Sequence, residues 1–293
     1  MSVRRLSGLQ RLVDGRRLTA HTASVGIGWY AAAYHPIFYA NINVSVLEKS
    51  QENPVLKIGP SPAGQVLYFF GIRHTNNPAD AQFSHLEQLW KEFLDITNNE
   101  RIIFIEGAIH TITPSSYEDS IRQHGEAGAS QWLAREADIV VICPEPNEEE
   151  QRKSLCTLFN PEVVAYTMII QNLAGWFRHA TQSSFDKAAV RSVKREIKFS
   201  EIYGFMPDDV WFRNQHVKLF GEQPLEDKNF LNSISDPRKD DTQINTVVSA
   251  RTKMRNEFIL SVIAETWKSG KSIFIVYGKG HLAALAQELR KLI

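Results

Sequence analysis

The chain's 293 residues allow one large domain or two small ones, and with 43% apolar and 10% aromatic residues it can bury a substantial core. Lys plus Arg and Asp plus Glu both number 33, so the formal charge is zero; a protein that binds nucleic acid by neutralising phosphates carries a basic excess, and no nucleic-acid partner is expected. Cys143 and Cys156 are the only cysteines, which excludes a disulfide scaffold and a Cys-x-x-Cys metal or redox pair and favours a reducing compartment.

Arg4, Arg5, Arg11, Arg16 and Arg17 make the amino terminus basic, and residues 18–47 then carry no Asp, Glu, Lys or Arg. His21, Thr22, Ser24, His35, Pro36, Asn41 and Asn43 make that run a poor membrane span. We expect residues 1–60 to form an N-terminal extension of a cytoplasmic protein; membrane association through residues 18–47, or export through the basic start, is the alternative. Residues 48–65, with Pro54, Pro60, Pro62 and Gly64, read as a linker.

Val66 to Phe70 is an apolar run of strand length. Gly71 is expected to turn the backbone where the strand stops, leaving His74 at the carboxyl end, where open α/β sheets place ligands. Asn77-Pro78 suits a helix start, and Phe83, Leu86, Leu89, Trp90, Phe93 and Leu94 follow at helical spacing. Arg101 to Ile105 is a second strand, ending in Glu106-Gly107. Gly125-Glu126-Ala127-Gly128 opens a helix with Ala129, Trp132, Leu133 and Ala137 on one side. Ile139 to Cys143 is a third strand, followed by Pro144-Glu145-Pro146. Continuous apolar strands alternating with helices indicate parallel βαβ units.

Residues 147–220 read as helical. Asn147 caps a helix whose first turn is Glu148, Glu149 and Glu150. Asn160-Pro161 starts an apolar helix through Val163, Val164, Met168, Ile169, Leu173, Trp176 and Phe177. Phe185 to Phe199 is basic and amphipathic, Pro207 to Leu219 is a further helix, and residues 221–243 are expected to be a loop. A long helix then spans about Ile244 to Lys268 and stops at Gly270. Its apolar stripe contains Val247, Val248, Met254, Phe258, Ile259 and Val262, and Arg251 and Arg255 fall inside it. An arginine on a buried face needs an anion, either a structural carboxylate or a substrate group. Ser272 to Tyr277 is a strand leading to Gly278-Lys279-Gly280-His281, with a short helix over Leu282 to Leu292. The expected fold is α/β: a central, mainly parallel sheet from two βαβ-type halves in one domain over 61–293, with a helical insertion at about 147–244.

Two apolar strands therefore run into Gly-x-x-His, at His74 and His281. A lone His at a strand end is often a packing or surface residue. Two at equivalent places, with Glu106 and Glu145 at strand ends and Glu126 at a helix start, are harder to explain that way. Imidazole plus carboxylate suits either a divalent metal or a metal-free acid–base site. Other motifs fail. Gly270-Lys271-Ser272 precedes a strand and lacks the first glycine of a phosphate loop, and Gly26-Ile27-Gly28 lacks a third glycine. Neither Gly-x-Ser-x-Gly nor His-Glu-x-x-His occurs. His85, His110 and His124 read as surface or supporting residues.

The paired Gly-x-x-His motifs, Glu-Gly after the second strand, the Gly-Glu helix start, Glu-Pro after the third strand and Arg-Asn before the last strand resemble the Tiki/TraB and erythromycin-esterase/ChaN-like superfamily over residues 66–146 and 245–293. The resemblance implies a duplicated βαβ core and one pocket built from His74, Glu106, Glu126, Arg255 and His281; Glu145 and Arg251 are left open. Tiki-like members are regarded as metal-dependent proteases, esterase members hydrolyse a lactone, and ChaN binds haem. The implied function is a metal-dependent hydrolase, peptidase- or amidase-like, acting on a peptide or small-molecule substrate. His74, Glu106 and His281 would then hold a divalent Mn, Co or Zn ion whose water is activated. The alternatives are a metal-free erythromycin-esterase-like hydrolase and a non-catalytic haem or ligand binder. Arg73 and Lys279, inside the two motifs, would favour an anionic substrate or weaken metal binding.

Overall fold

The computed structural model describes residues 53–97, 99–111, 114–178 and 184–292. The expected extension, apart from residues 53–60, and its uncharged run at 18–47 lie outside the described residues. The fold is α/β. Strands β1 (Val55–Ile58), β2 (Leu67–Ile72), β3 (Arg101–Ile105), β4 (Val140–Ile142) and β5 (Ser272–Gly278) form one sheet in the order β1-β2-β5-β3-β4. All neighbours are parallel except β1 and β2. The carboxyl-terminal part supplies a single strand, β5, and places it at the centre. Every residue of β2 and β5 is buried, which explains their unbroken apolar sequence.

Residues 55–58, read as part of a linker, are strand β1. They pair with Leu67 to Phe70 along the sheet edge, alternate buried and exposed positions, and point Lys57 out to Glu92 at 2.6 Å. Gly71 is likewise no turn. It lies inside β2, and a Cβ there would come within 3.0 Å of Pro54 and 3.1 Å of Leu282, so glycine answers close packing.

Helices α1 (Ala81–Ile96) and α2 (Tyr117–Glu136) cover one face of the sheet. Phe83, Leu86, Leu89, Trp90 and Phe93 of α1 pack on Tyr68, Phe70 and Phe274. Each such side chain, fully buried, contributes roughly 1.5–3 kcal/mol. The α1 cap is Asp80, accepting from Gln82 N at 3.1 Å, three residues beyond the expected Asn77. Helices α9 (Gln243–Lys268) and α10 (Lys279–Leu289) cover the other face, with Ile259, Ile263, Trp267, Leu282 and Leu285 against Phe69, Phe104, Ile275 and Tyr277.

Between β4 and α9 lie α3 (Glu148–Leu158), α4 (Pro161–Arg178), α5 (Phe185–Ile197), α6 (Ser200–Tyr203), α7 (Asp209–Phe220) and α8 (Lys228–Ile234). They enclose a core of their own around Val164, Tyr166, Ile169 and Leu173 of α4. Helix α8 falls in the expected 221–243 loop and is capped by Asp227, which accepts from Asn229 N and Phe230 N. Helix α9 belongs to both cores. Ile244, Val247 and Val248 enter the helical one, and Ile259, Ile263 and Trp267 enter the sheet's. Arg251 and Arg255 lie where it passes from one to the other; Phe258, expected in the buried stripe, is exposed. No helix among the described residues is long and apolar enough to cross a membrane.

Candidate functional site

The two Gly-x-x-His strands are hydrogen-bonded neighbours that end level, Ile72 opposite Gly278. On the far side of β5, β3 ends at Ile105, and Glu106 N still donates to Val276 O at 3.2 Å. Three strand ends thus deliver their next residues to one place. His281 is not on a connecting loop; it sits in the first turn of α10, which begins at Lys279. Gly278 is fixed by contact. Its N–H donates to Glu106 Oε2 at 2.7 Å, and a Cβ there would stand 3.1 Å from that oxygen and 3.4 Å from His74 Nε2.

Glu126 arrives by a break in α2. Gly125 adopts φ 58°, ψ −139°, and a Cβ on it would meet Thr75 O at 2.9 Å. Both facts demand glycine, and together they lay the second half of α2 against the segment just after His74. Gly125→Ala is therefore expected to destabilise the fold by about 1–3 kcal/mol and to part Glu126 from His74. Thermal unfolding and turnover measure both; a variant unchanged in each would show the break to be dispensable.

His74 Nδ1 bonds Glu126 Oε1, a contact in which the carboxylate can only accept, so Nδ1 carries the proton. Its Nε2 faces Glu106 Oε2 at 3.8 Å. Arg255 joins the rest. Nε and Nη2 each lie 2.5 Å from the two oxygens of Glu145, Nη2 also reaches Glu106 Oε1 at 2.8 Å, and Nη1 reaches His281 Nε2 at 2.9 Å. A guanidinium only donates, so His281 accepts through Nε2 and carries its proton on Nδ1, which donates to Asn256 Oδ1 at 2.6 Å.

His74, Glu106, Glu126, Arg255 and His281 thus converge, and Glu145 joins them through Arg255. Arg251 does not: it binds Gln151 and Gln171. Arg73 pairs with Asp80 at 3.1 Å, and Lys279 is exposed. Three participants lay outside the expected set. Tyr277 donates to Glu145 Oε1 at 3.2 Å and stands edge-on to the His281 ring at 5.5 Å. Asn256 orients His281, and Gly278 donates to Glu106. The signals for them were adjacency to Arg255 and to the second motif.

Burial opposes the charge of Glu106, but the Arg255 guanidinium, 2.8 Å from its Oε1, favours it, and the carboxyl is held well below the ordinary carboxylate range; a hydrogen bond from His281 would add to this only with a proton on Nε2, the nitrogen that here accepts from Arg255. The Arg255 contribution persists whichever His281 nitrogen carries the proton. Burial, with Glu145 and Glu106 beside it and against the pull of Arg255, pushes the Cys143 thiol up to about 12. A thiol so raised is neutral near pH 7 and a poor nucleophile. Cys143→Ala is expected to keep turnover, and native Cys143 to alkylate slowly at neutral pH; turnover lost with the cysteine would place the thiol in the reaction.

The expected metal ligands were His74, Glu106 and His281. Arg255 stands where such an ion would sit, against both Glu106 Oε1 and His281 Nε2, and the other Glu106 oxygen holds Gly278 N. Among the described residues no group of three or more His, Cys, Asp or Glu side chains is arranged to hold a metal ion. As arranged, this set does not fit a resident Mn, Co or Zn ion, because a guanidinium already supplies the positive charge. A shallow groove of about 480 Å³ along Glu149, Lys153, Cys156 and Glu201 includes none of the converging residues.

No family model, curated protein or solved structure matches this chain.

Proposed function

We propose that this chain is an acid–base hydrolase of an ester or amide, metal-free and erythromycin-esterase-like in plan, with His74 as the base. The observation that carries the reading is the orientation of His74: Glu126 holds Nδ1, and Nε2 turns toward the Glu106–Arg255–His281 cluster. A base needs one ring nitrogen held and the other presented to the reaction. His74 Nε2 takes a proton from water as the water oxygen bonds to the substrate carbonyl. Glu126 stabilises the imidazolium that results. The first-turn amides of α10, which no side chain caps, offer donors and a positive dipole end to the oxyanion. Collapse breaks the carbon–oxygen or carbon–nitrogen bond, and His74 returns its proton to the leaving alcohol or amine. Arg255, engaged by Glu106, Glu145 and His281, positions these groups.

A panel of p-nitrophenyl esters and N-acyl p-nitroanilides, assayed before and after exhaustive dialysis against EDTA and dipicolinate, tests the reading. Hydrolysis is expected to survive chelation. Activity lost on chelation and restored by Mn, Co or Zn would instead support the metal-dependent peptidase- or amidase-like reading of the Tiki/TraB type.

A further inference from the structure

Arg152 and Arg255 both act electrostatically on Arg251, and both are matched. Arg152 holds Glu196 through Nε and Nη2, each at 2.8 Å, and Arg255 holds Glu106 and Glu145. Arg251 has no carboxylate partner among the described residues. Nε donates to Gln151 Oε1 at 2.8 Å and Nη1 to Gln171 Oε1 at 2.7 Å.

Because a guanidinium only donates, both glutamines must turn their oxygens to it and their amide nitrogens away. Among the described residues, neither amide nitrogen nor Arg251 Nη2 has a hydrogen-bond partner. None of the three is among the fully buried orphaned atoms, so solvent reaches each. Three donors are thus left without an acceptor beside one guanidinium that has no ion-pair partner among the described residues, with Glu148 and Glu145 near enough to act on it. Burial, with Arg255 and Arg152 nearby and against Glu148 and Glu145, presses the Arg251 guanidinium down to about 10. That is the direction expected of an unmatched cation. Arg251 precedes Arg255 by one turn of α9, so the two side chains start about 5–6 Å apart.

We propose that Arg251, with the amides of Gln151 and Gln171, seats a carboxylate carried by the ligand, one turn of α9 before Arg255. Donors alone call for a group that accepts hydrogen bonds, and the guanidinium charge among them favours an anionic acceptor, an oxyanion, over a neutral carbonyl or ether. A single unmatched charge, with Glu145 and Glu148 nearby, suits a monoanion better than a phosphate dianion. Calling this ligand the substrate rests on the hydrolase reading; the seat itself does not.

The competing explanation is that Arg251 merely ties α3 and α4 to α9. Gln171→Glu separates the two, because it gives Arg251 a carboxylate of the protein's own. This strengthens a tie but fills a seat. The probe is sodium benzoate, with benzamide as its uncharged counterpart and inorganic phosphate as the dianion, at matched ionic strength. Ligand-dependent thermal stabilisation of the full chain is the readout, which needs no turnover. Wild type is expected to be stabilised by benzoate and not by benzamide. Gln171→Glu is expected to melt at the same or a higher temperature yet bind benzoate about tenfold more weakly or worse, as loss of one charged hydrogen-bonded pair implies. Arg251→Gln should lose the same response. Equal benzoate stabilisation in Gln171→Glu, no preference for benzoate over benzamide in wild type, or stronger stabilisation by phosphate would each overturn the proposal. If benzoate binds as expected while no ester or amide is hydrolysed, the hydrolase reading fails and the seat stands.

Discussion

His74→Ala is expected to lower ester or amide turnover on the order of 10²–10⁴-fold, the range for removing a positioned general base, while the protein stays folded. The two halves of that expectation have different sources. His74 is 39% exposed and lies beyond β2, outside the buried apolar clusters. Its removal therefore opens no core cavity, and thermal unfolding should move little. What is lost is the nitrogen that takes the proton from water. Glu126→Gln should act in the same direction but less: the amide oxygen can still accept from Nδ1, and only the negative charge that favours the imidazolium is gone. Turnover per folded molecule and melting temperature, measured on both variants, decide the matter. Unchanged turnover in His74→Ala would remove this residue from the reaction, and a collapsed fold with unchanged specific activity would make it structural.

What the sequence makes legible follows from where the determining forces are local. Strands β2 and β5 are buried along their whole length, so their apolar runs announce them, and the glycine and histidine that follow place both imidazoles at one end of the sheet. The two glycines share a motif but not a reason. Gly71 makes room for Pro54 and Leu282, and Gly278 makes room for Glu106 and His74; no local pattern distinguishes such contacts. Strand β1 is hidden because Val55-Leu56-Lys57-Ile58, though of strand composition, is only four residues long and bracketed by Pro54, Gly59 and Pro60; pairing with the β2 edge fixes its form. The first half of α2, with Glu118, Asp119, Arg122 and Gln123, has no long apolar stripe, so Gly125 looked like a helix start when it is a break within one. The same electrostatic rule, that a buried arginine needs an anion, gave different outcomes at two positions one turn apart. Arg255 found Glu106 and Glu145, whereas Arg251 met only neutral amides. Which acid sits opposite a guanidinium is a tertiary fact.

Arg255→Met is expected to destabilise the protein by about 3–5 kcal/mol, the cost of removing one partner from a buried ion pair and leaving the other uncompensated. Here two carboxylates are left, Glu106 and Glu145, beside each other and largely enclosed. Arg255→Lys should fall between the variant and wild type in stability. It keeps the charge, yet an ammonium is a point donor and cannot span both oxygens of Glu145, Glu106 Oε1 and His281 Nε2 at once. Turnover is expected to fall steeply in Arg255→Lys, because His281 and Glu106 lose their common anchor. The pH dependence supplies an independent check. The Glu106 carboxyl is held far below its ordinary value of 4.5, so in wild type its contribution to stability is present above that value and drains away as pH falls below it. Without Arg255 much of that contribution is absent at every pH. The stability gap between wild type and Arg255→Met should therefore stay level from about pH 7 to about pH 5 and narrow as the pH falls through 4.5 and below. Chemical denaturation across this range measures it. A gap that widens on acidification would deny the ion pair its role, and full turnover in Arg255→Lys would confine Arg255 to holding the fold together.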